Sequence, residues 1–480
     1  MKRYKIKTFI ALVFATVALG GSAQSLRSAY FLEGYLYRHQ LNPAFMPERD
    51  YFSIPALGNM NITLQGNVGM SDFLYKSDNP LYSLTTFMNS SVGTDEFLKK
   101  LHRSNRMNTN VDLTILSFGF RKWGGFNTFD INLRSRTSAN LPYSLFDFMK
   151  SGMSAVEGNT YHIENVAVRT NNYVETSFGH SRQLLDGKLG VGAKFKLLFG
   201  VGNADGRIES MDVKMTQDQW HITAKGNIDG SLKGAYFKTK EEQDDNDRPT
   251  GRRELDGFDI DSPGLGGFGL AVDLGATYKM DDFVEGLVLS ASLLDFGFIS
   301  WNNHLNASND GSREFLFDGF TDIAFNDKDG GKDLDAQVDD LGDDLADLFK
   351  FYDNGQKGRR ATMLSATLNF GAEYALPYYK KLRFGFLSTT YINRPFTWTE
   401  GRFSANVAPV GWFDASVNYG CSKFGSSLGL VLNFHPKGFN FFIGTDHMLT
   451  KVNPQFVPVG NANGNISFGF NITLGDKTRN

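Results

Sequence analysis

Seven charged residues stand where charge is uncommon, in stretches whose alternate places are apolar. They are Asp130, Arg134 and Arg136 in "FDINLRSR", Lys194 and Lys196 in "KLGVGAKFKLLFG", Asp273 in "FGLAVDLGATYK" and Glu373 in "LSATLNFGAEY". A period of two puts these charges on one face, against Phe129, Ile131, Leu133, Phe195, Val272 and Phe370 on the other. The mixed signs suit two chemistries. One is an interlocked set of ion pairs filling an enclosed space. The other is a lining that selects a polar or amphipathic solute.

Catalytic and metal-binding patterns give much less. The eight histidines are His39, His102, His162, His180, His221, His304, His435 and His447, and none falls in an HExxH spacing. There is no GxSxG elbow and no phosphate-binding Walker loop. "GLGGFG" at 264–269 leads into a strand pattern where a dinucleotide loop needs a helix. "NDKDGGKDLD" at 326–335 offers Asp327, Asp329, Asp333 and Asp335, but Lys332 and Val338 occupy the places where a calcium loop needs Gly and Glu. Cys421 is the single cysteine, so neither an internal disulfide nor a cysteine metal site is available. The expectation is a protein that is not an enzyme and carries no cofactor and no metal.

The elements that would position the seven charges are strands. The 480 residues include 51 Gly and 43 Phe but only 13 Pro, a mixture that favours strands, turns and aromatic anchors. Alternating segments recur as "MNITLQGNVG" (60–69), "SLGLVLNFH" and "NISFGFNITLG" (465–475), and run roughly 9–14 residues, the length that crosses a bilayer on a tilt. A soluble β-sandwich also alternates, yet its polar face carries long charged residues that water solvates. Here that face is filled with Gly, Ser, Asn and Thr, as a narrow lumen requires. The pattern therefore predicts an all-β fold, a transmembrane antiparallel β-barrel of about 14 strands.

Residues 1–23 read as an export signal: Lys2, Arg3, Lys5 and Lys7 precede the apolar run Phe9–Leu19 and a small-residue cleavage site. Residues 24–58 then form an N-terminal plug or hatch, 59–475 the barrel, and 476–480 a polar tail. Three insertions interrupt the barrel. Residues 78–107 read as short helices with Thr94 as a cap, and 240–262 as a charged loop. Residues 303–360 contain an acidic amphipathic helix at 333–352, from Leu334 to Tyr352. Net charge of −3 without a basic cluster excludes nucleic acid as a partner.

The stretch "SAYFLEGYLYRHQLNPAFMPERDYFSIPALGNMNI" resembles a family of Bacteroidota outer-membrane proteins of unknown function. The resemblance covers nearly the whole mature chain. More distantly, Asn42, Pro43 and Ala44 match a short motif of the long-chain fatty-acid transporter and type IX secretion barrel superfamily, although "FLEGYLYRHQ" replaces the Gly-rich stretch usual before it. That likeness implies a 14-strand barrel with its N-terminal segment in the lumen. The expectation is a bacterial outer-membrane channel, transporter or binder for a small hydrophobic or amphipathic solute, with membrane lipid around it. The alternative is a non-transporting surface scaffold, adhesin or secretion-associated barrel with an envelope-protein partner.

Overall fold

A strand in hydrocarbon must pair along both edges, because each unpaired backbone group there costs several kcal/mol. The computed structural model describes residues 26–76, 84–89, 91–151, 160–215, 220–243, 248–310, 315–317, 351–355, 358–448 and 463–476. Within it fourteen antiparallel strands close into one barrel. They are β1 (Asp50–Ser53 with Met60–Gly66), β2 (Ser104–Lys122), β3 (Gly125–Pro142), β4 (Thr160–Leu184), β5 (Leu189–Met215), β6 (Gly267–Lys279) and β7 (Leu287–Trp301). The circuit continues with β8 (Arg360–Met363 with Ala366–Ala375), β9 (Leu382–Ile392), β10 (Trp398–Val410), β11 (Phe413–Ser422), β12 (Gly425–Phe434), β13 (Phe439–Thr445) and β14 (Gly464–Leu474). Each strand pairs with the next, and β14 returns to β1 through Asn471 opposite Ser53 and Phe468 opposite Met60. Among the described residues no sheet edge is left at the level of the barrel wall.

The usual burial order is inverted. On β6, Phe268, Leu270, Val272 and Leu274 look outward and stay exposed, whereas Asp273 between them is buried. Asn132, Asn433, Asn440 and Asn471 are likewise buried, each facing the lumen. Every connection at one end of the barrel is a short turn, and Trp123, Phe283, Tyr378 and Trp412 stand exposed on those turns, as in an interfacial girdle. The other end carries all the long insertions.

Two strands outrun the membrane. β4 and β5 have 25 and 27 residues, about 80–90 Å at the usual rise per residue. The far half of β5 leaves β6 and pairs with Trp220–Leu232, which in turn pairs with His304–Asp310. Under the helices Thr94–Leu98 and Tyr143–Ser151, Phe87, Phe97, Phe146, Ile163, Met211 and Ile222 form a small apolar core outside the barrel. The charged stretch expected to be a loop at 240–262 is instead a hairpin, Ala235–Gln243 with Pro249–Ile260. Burial along these strands is irregular, with the neighbours Glu254 and Leu255 both buried, so they show no apolar period.

Other expectations also change. The wall starts at Asp50, ahead of the first alternating stretch, because the break at 54–59 with Pro55 destroys the period. Thr94 opens its helix and Gly93 is the cap. Tyr352, expected to end the acidic helix, lies in a short strand opposite Glu254 and Ser308. The export signal, the 326–335 loop and nearly all of 333–352 lie outside the described residues.

The inverted burial gives a direct test. Leu274→Arg would place a cation in hydrocarbon and should destabilise the folded barrel by roughly 2–4 kcal/mol. Urea titration in lipid, read by heat-modifiable gel mobility, measures this; an unchanged midpoint would contradict the outward assignment.

Candidate functional site

Residues 26–49 have no strand partner, yet every residue from Leu26 to Pro47 except Glu33 is buried. They achieve this by entering the lumen and folding into two 3₁₀ turns, Arg27–Ala29 and Leu36–Gln40. Tyr30, Phe31, Tyr35, Tyr37, Leu41 and Phe45 pack on one another, and the wall adds Phe126, Leu387, Val431 and Phe442. The apolar core inside this barrel thus comes mainly from the plug.

Contact with the wall is at backbone distance in places. A Cβ on Gly192 of β5 would lie 2.1 Å from the Pro43 carbonyl oxygen, and one on Gly275 of β6 would lie 2.0 Å from Asn42 Oδ1. Only glycine admits this approach. Asn42 Nδ2 donates to the carbonyls of Ala276 and Ala291 at 3.3 and 3.2 Å, while its Oδ1 accepts from the Ala44 amide at 2.9 Å. Asn42, Pro43 and Ala44 therefore form the point where the plug seats on β5, β6 and β7.

Two polar clusters hold the rest. At the plug's first residues, Asp446 accepts from the Arg27 and Ser28 amides at 3.0 and 2.7 Å, and the Arg27 guanidinium reaches Glu400 at 3.1 Å. Arg402 bonds the same Glu400 at 2.7 Å and also donates to Asn418. Burial alone would lower the Arg27 pKa, but Glu400 and Asp446 raise it above its ordinary value. Further along, Lys194 donates to His39 Nδ1 at 2.8 Å and to Asp130 at 2.9 Å. An ammonium on Nδ1 fixes that nitrogen as an acceptor, so Nε2–H donates to the Tyr51 hydroxyl at 2.8 Å. Tyr51 continues to Ser117 and Ser117 to Asp130, closing a ring of hydrogen bonds. Burial and then Lys194 hold His39 down to about 3, so the imidazole is neutral at pH 7.

All seven charges singled out in the sequence face the lumen. Asp130 and Lys194 pair with each other. Arg134 and Arg136 meet at Asp112, 2.9 and 2.7 Å away, and Lys196 pairs with Asp273 at 2.8 Å. Glu175 and Asp295 tie these together, at 3.4 Å from Arg134 and 2.5 Å from Lys196. Glu373 stands apart and faces Arg383, which also binds Glu33 of the plug. Arg27, His39, Glu400, Arg402 and Asp446 were not among the candidates. Glu400 and Arg402 do share a face of "WTEGRF", so the alternation carried that signal.

Above the plug, toward the loop end, lies a partly open chamber of about 70 Å³. Arg27, Gln40 and Leu41 of the plug border it, with Asn108, Asn110, Arg134, Arg136, Lys196, Leu294 and Asp295 around the sides and Asn393 and Trp398 beyond. No group of three or more metal-ligating side chains occurs among the described residues.

The model of a family of unknown function, DUF5723, matches residues 43–446. No curated protein matches the chain. Among solved structures, the toluene transporter TbuX of Ralstonia pickettii is 8% identical, with 91% of this chain and 93% of that chain covered and a TM-score of 0.40. The toluene transporter TodX of P. putida is 10% identical over 91% and 93%, with a TM-score of 0.38. The translocator domain of autotransporter NalP from Neisseria meningitidis is 7% identical over 87% and 88%, with a TM-score of 0.28.

Two predictions follow from the seating of the plug. Gly275→Val should expel Asn42 and expose residues 26–49 to added protease, with cleavage rising by about ten-fold or more, as a backbone clash without room to relax implies. Cleavage at the parent rate would contradict the contact. Acid should also loosen the plug. His39 has a docked pKa of about 3 against an ordinary 6.5, so docking is fully favoured above 6.5 and weakens as pH falls toward 3. Between pH 6.5 and 5 the protease sensitivity should rise in the parent and stay flat in His39→Gln; the same slope in both would contradict the assignment.

Proposed function

We propose that this chain, which belongs to the family of unknown function DUF5723, is a bacterial outer-membrane channel held shut by its own N-terminal segment. The observation that carries the reading is the plug. Residues 26–49 are tied covalently to the wall at Asp50 alone, and every other contact they make with it is noncovalent. Removing the segment from the lumen would break no barrel hydrogen-bond ladder. A purely structural core is normally built from elements that cannot leave without unfolding the rest.

The solute is small and amphipathic in this account. The chamber sets amide and charged side chains beside Leu41, Leu294, Tyr391 and Trp398, so both polar and apolar surfaces find partners. With the short turns in the periplasm, as is general for such barrels, the chamber opens toward the cell exterior and the plug bars the inner side. The reading assigns no catalysis, cofactor or nucleic acid, and membrane lipid covers the outward faces.

A second reading makes the barrel a scaffold. The hairpin Ala235–Gln243 with Pro249–Ile260 and the small core beneath Tyr143–Ser151 stand beyond the wall and offer a surface for an envelope protein. The two readings separate in planar bilayers. Deletion of residues 26–49 should raise conductance by about ten-fold or more, because the lumen charges then line an open path. A deleted barrel that stays sealed, yet co-purifies with an envelope protein, would replace the channel by the scaffold.

A further inference from the structure

The chamber above the plug has a second boundary. The connection between β9 and β10, residues 393–397, turns inward instead of outward. Asn393 Nδ2 donates across the lumen to Ser138 Oγ on β3 at 2.8 Å, and Ser365 Oγ donates to Asn393 Oδ1 at 2.5 Å. Phe396 is buried, with the Arg106 guanidinium 5.0 Å above its ring, and Lys423 holds the Thr397 carbonyl at 2.7 Å. The chamber is thus bounded on the inner side by residues 26–49, and its opening at the loop end is narrowed by Asn393 of this segment.

We propose that the chamber is a binding compartment for one small molecule that carries no negative charge and is rich in hydrogen-bond acceptors, with residues 393–397 as its outer door. The inference rests on the channel reading and specifies its solute. Negative charge on the ligand is disfavoured because the cations that border the space are already neutralised: Arg27 by Glu400, Arg134 and Arg136 by Asp112 and Glu175, Lys196 by Asp273 and Asp295. An anion would have no counter-ion left in the wall. Acceptors are called for by two donors. Gln40 Nε2 and Asn108 Nδ2 have no hydrogen-bond partner among the described residues, although both side chains border the chamber and are more than nine-tenths buried. Leaving such donors unmade is costly, and a carbonyl, ether or hydroxyl oxygen in the chamber would satisfy them once the amides turn toward it.

The test uses the full chain with Cys421→Ser and Asn393→Cys. Xylose should slow maleimide labelling of the new thiol by about five-fold or more at saturation, by simple occupancy. Xylonate, its anionic counterpart, and benzene should not, and Gln40→Leu or Asn108→Leu should abolish the effect. No protection by xylose, or equal protection by xylonate or benzene, overturns the assignment. For the door, an oxidised Ser138→Cys, Asn393→Cys pair should carry radiolabelled xylose through gel filtration and release it on reduction. Passage without xylose rejects the door. A chain that traps xylose but never conducts after loss of residues 26–49 would refute the channel and leave the compartment standing.

Discussion

The structure depends on how an enclosed lumen is filled. A wall of fourteen strands closes because open edges in hydrocarbon are too expensive, but closure leaves an interior that small inward side chains cannot occupy. Protein interiors pack as densely as organic crystals, so that space must take atoms from somewhere. Here residues 26–47 supply them, with Tyr30, Tyr35 and Tyr37 giving bulk that the wall lacks. The glycines at 192 and 275 are the other half of the fit, since they let the Asn42–Ala44 backbone lie directly on the strands.

Charge in the lumen follows from the same enclosure. Ions removed from bulk water persist only when paired and hydrogen-bonded. Lys194 with Asp130, Arg134 with Asp112 and Glu175, and Lys196 with Asp273 meet that condition. The plug is written into this network through Arg27, whose charge balances the carboxylates of Glu400 and Asp446, and through His39, a neutral hydrogen-bond partner of Lys194. Where the plug stops, the network borders a chamber instead of a packed core.

The alternation of two made the barrel and its inward charges legible, because lipid outside and a narrow lumen inside impose opposite demands on neighbouring residues. Asp273 between exposed Val272 and Leu274 is the clearest instance. The partners of these charges were harder to read. Asp295 enters the lumen at a bulge in β7, where the phase flips: Ser290 and Ser292 face inward before it, and Ile299 and Trp301 after it. A strict period cannot register such a flip. The plug has no period at all, so Asn42, Pro43 and Ala44 were visible only as a resemblance, and Arg27 and His39 not as ligands of the wall. The hairpin at 235–260 was missed for a different reason, as its buried residues, Glu242, Glu254 and Leu255 among them, follow no apolar alternation.

The central claim is that residues 26–49 are a folded stopper in the lumen of the intact protein. Hydrogen exchange of their amides in lipid tests this most directly. Ser28, Gly34 and Ala44 donate to Asp446, Asp414 and Asn42, so their amides should exchange as slowly as those of neighbouring barrel strands. Exchange at the rate of an unstructured peptide at all three positions would contradict the account.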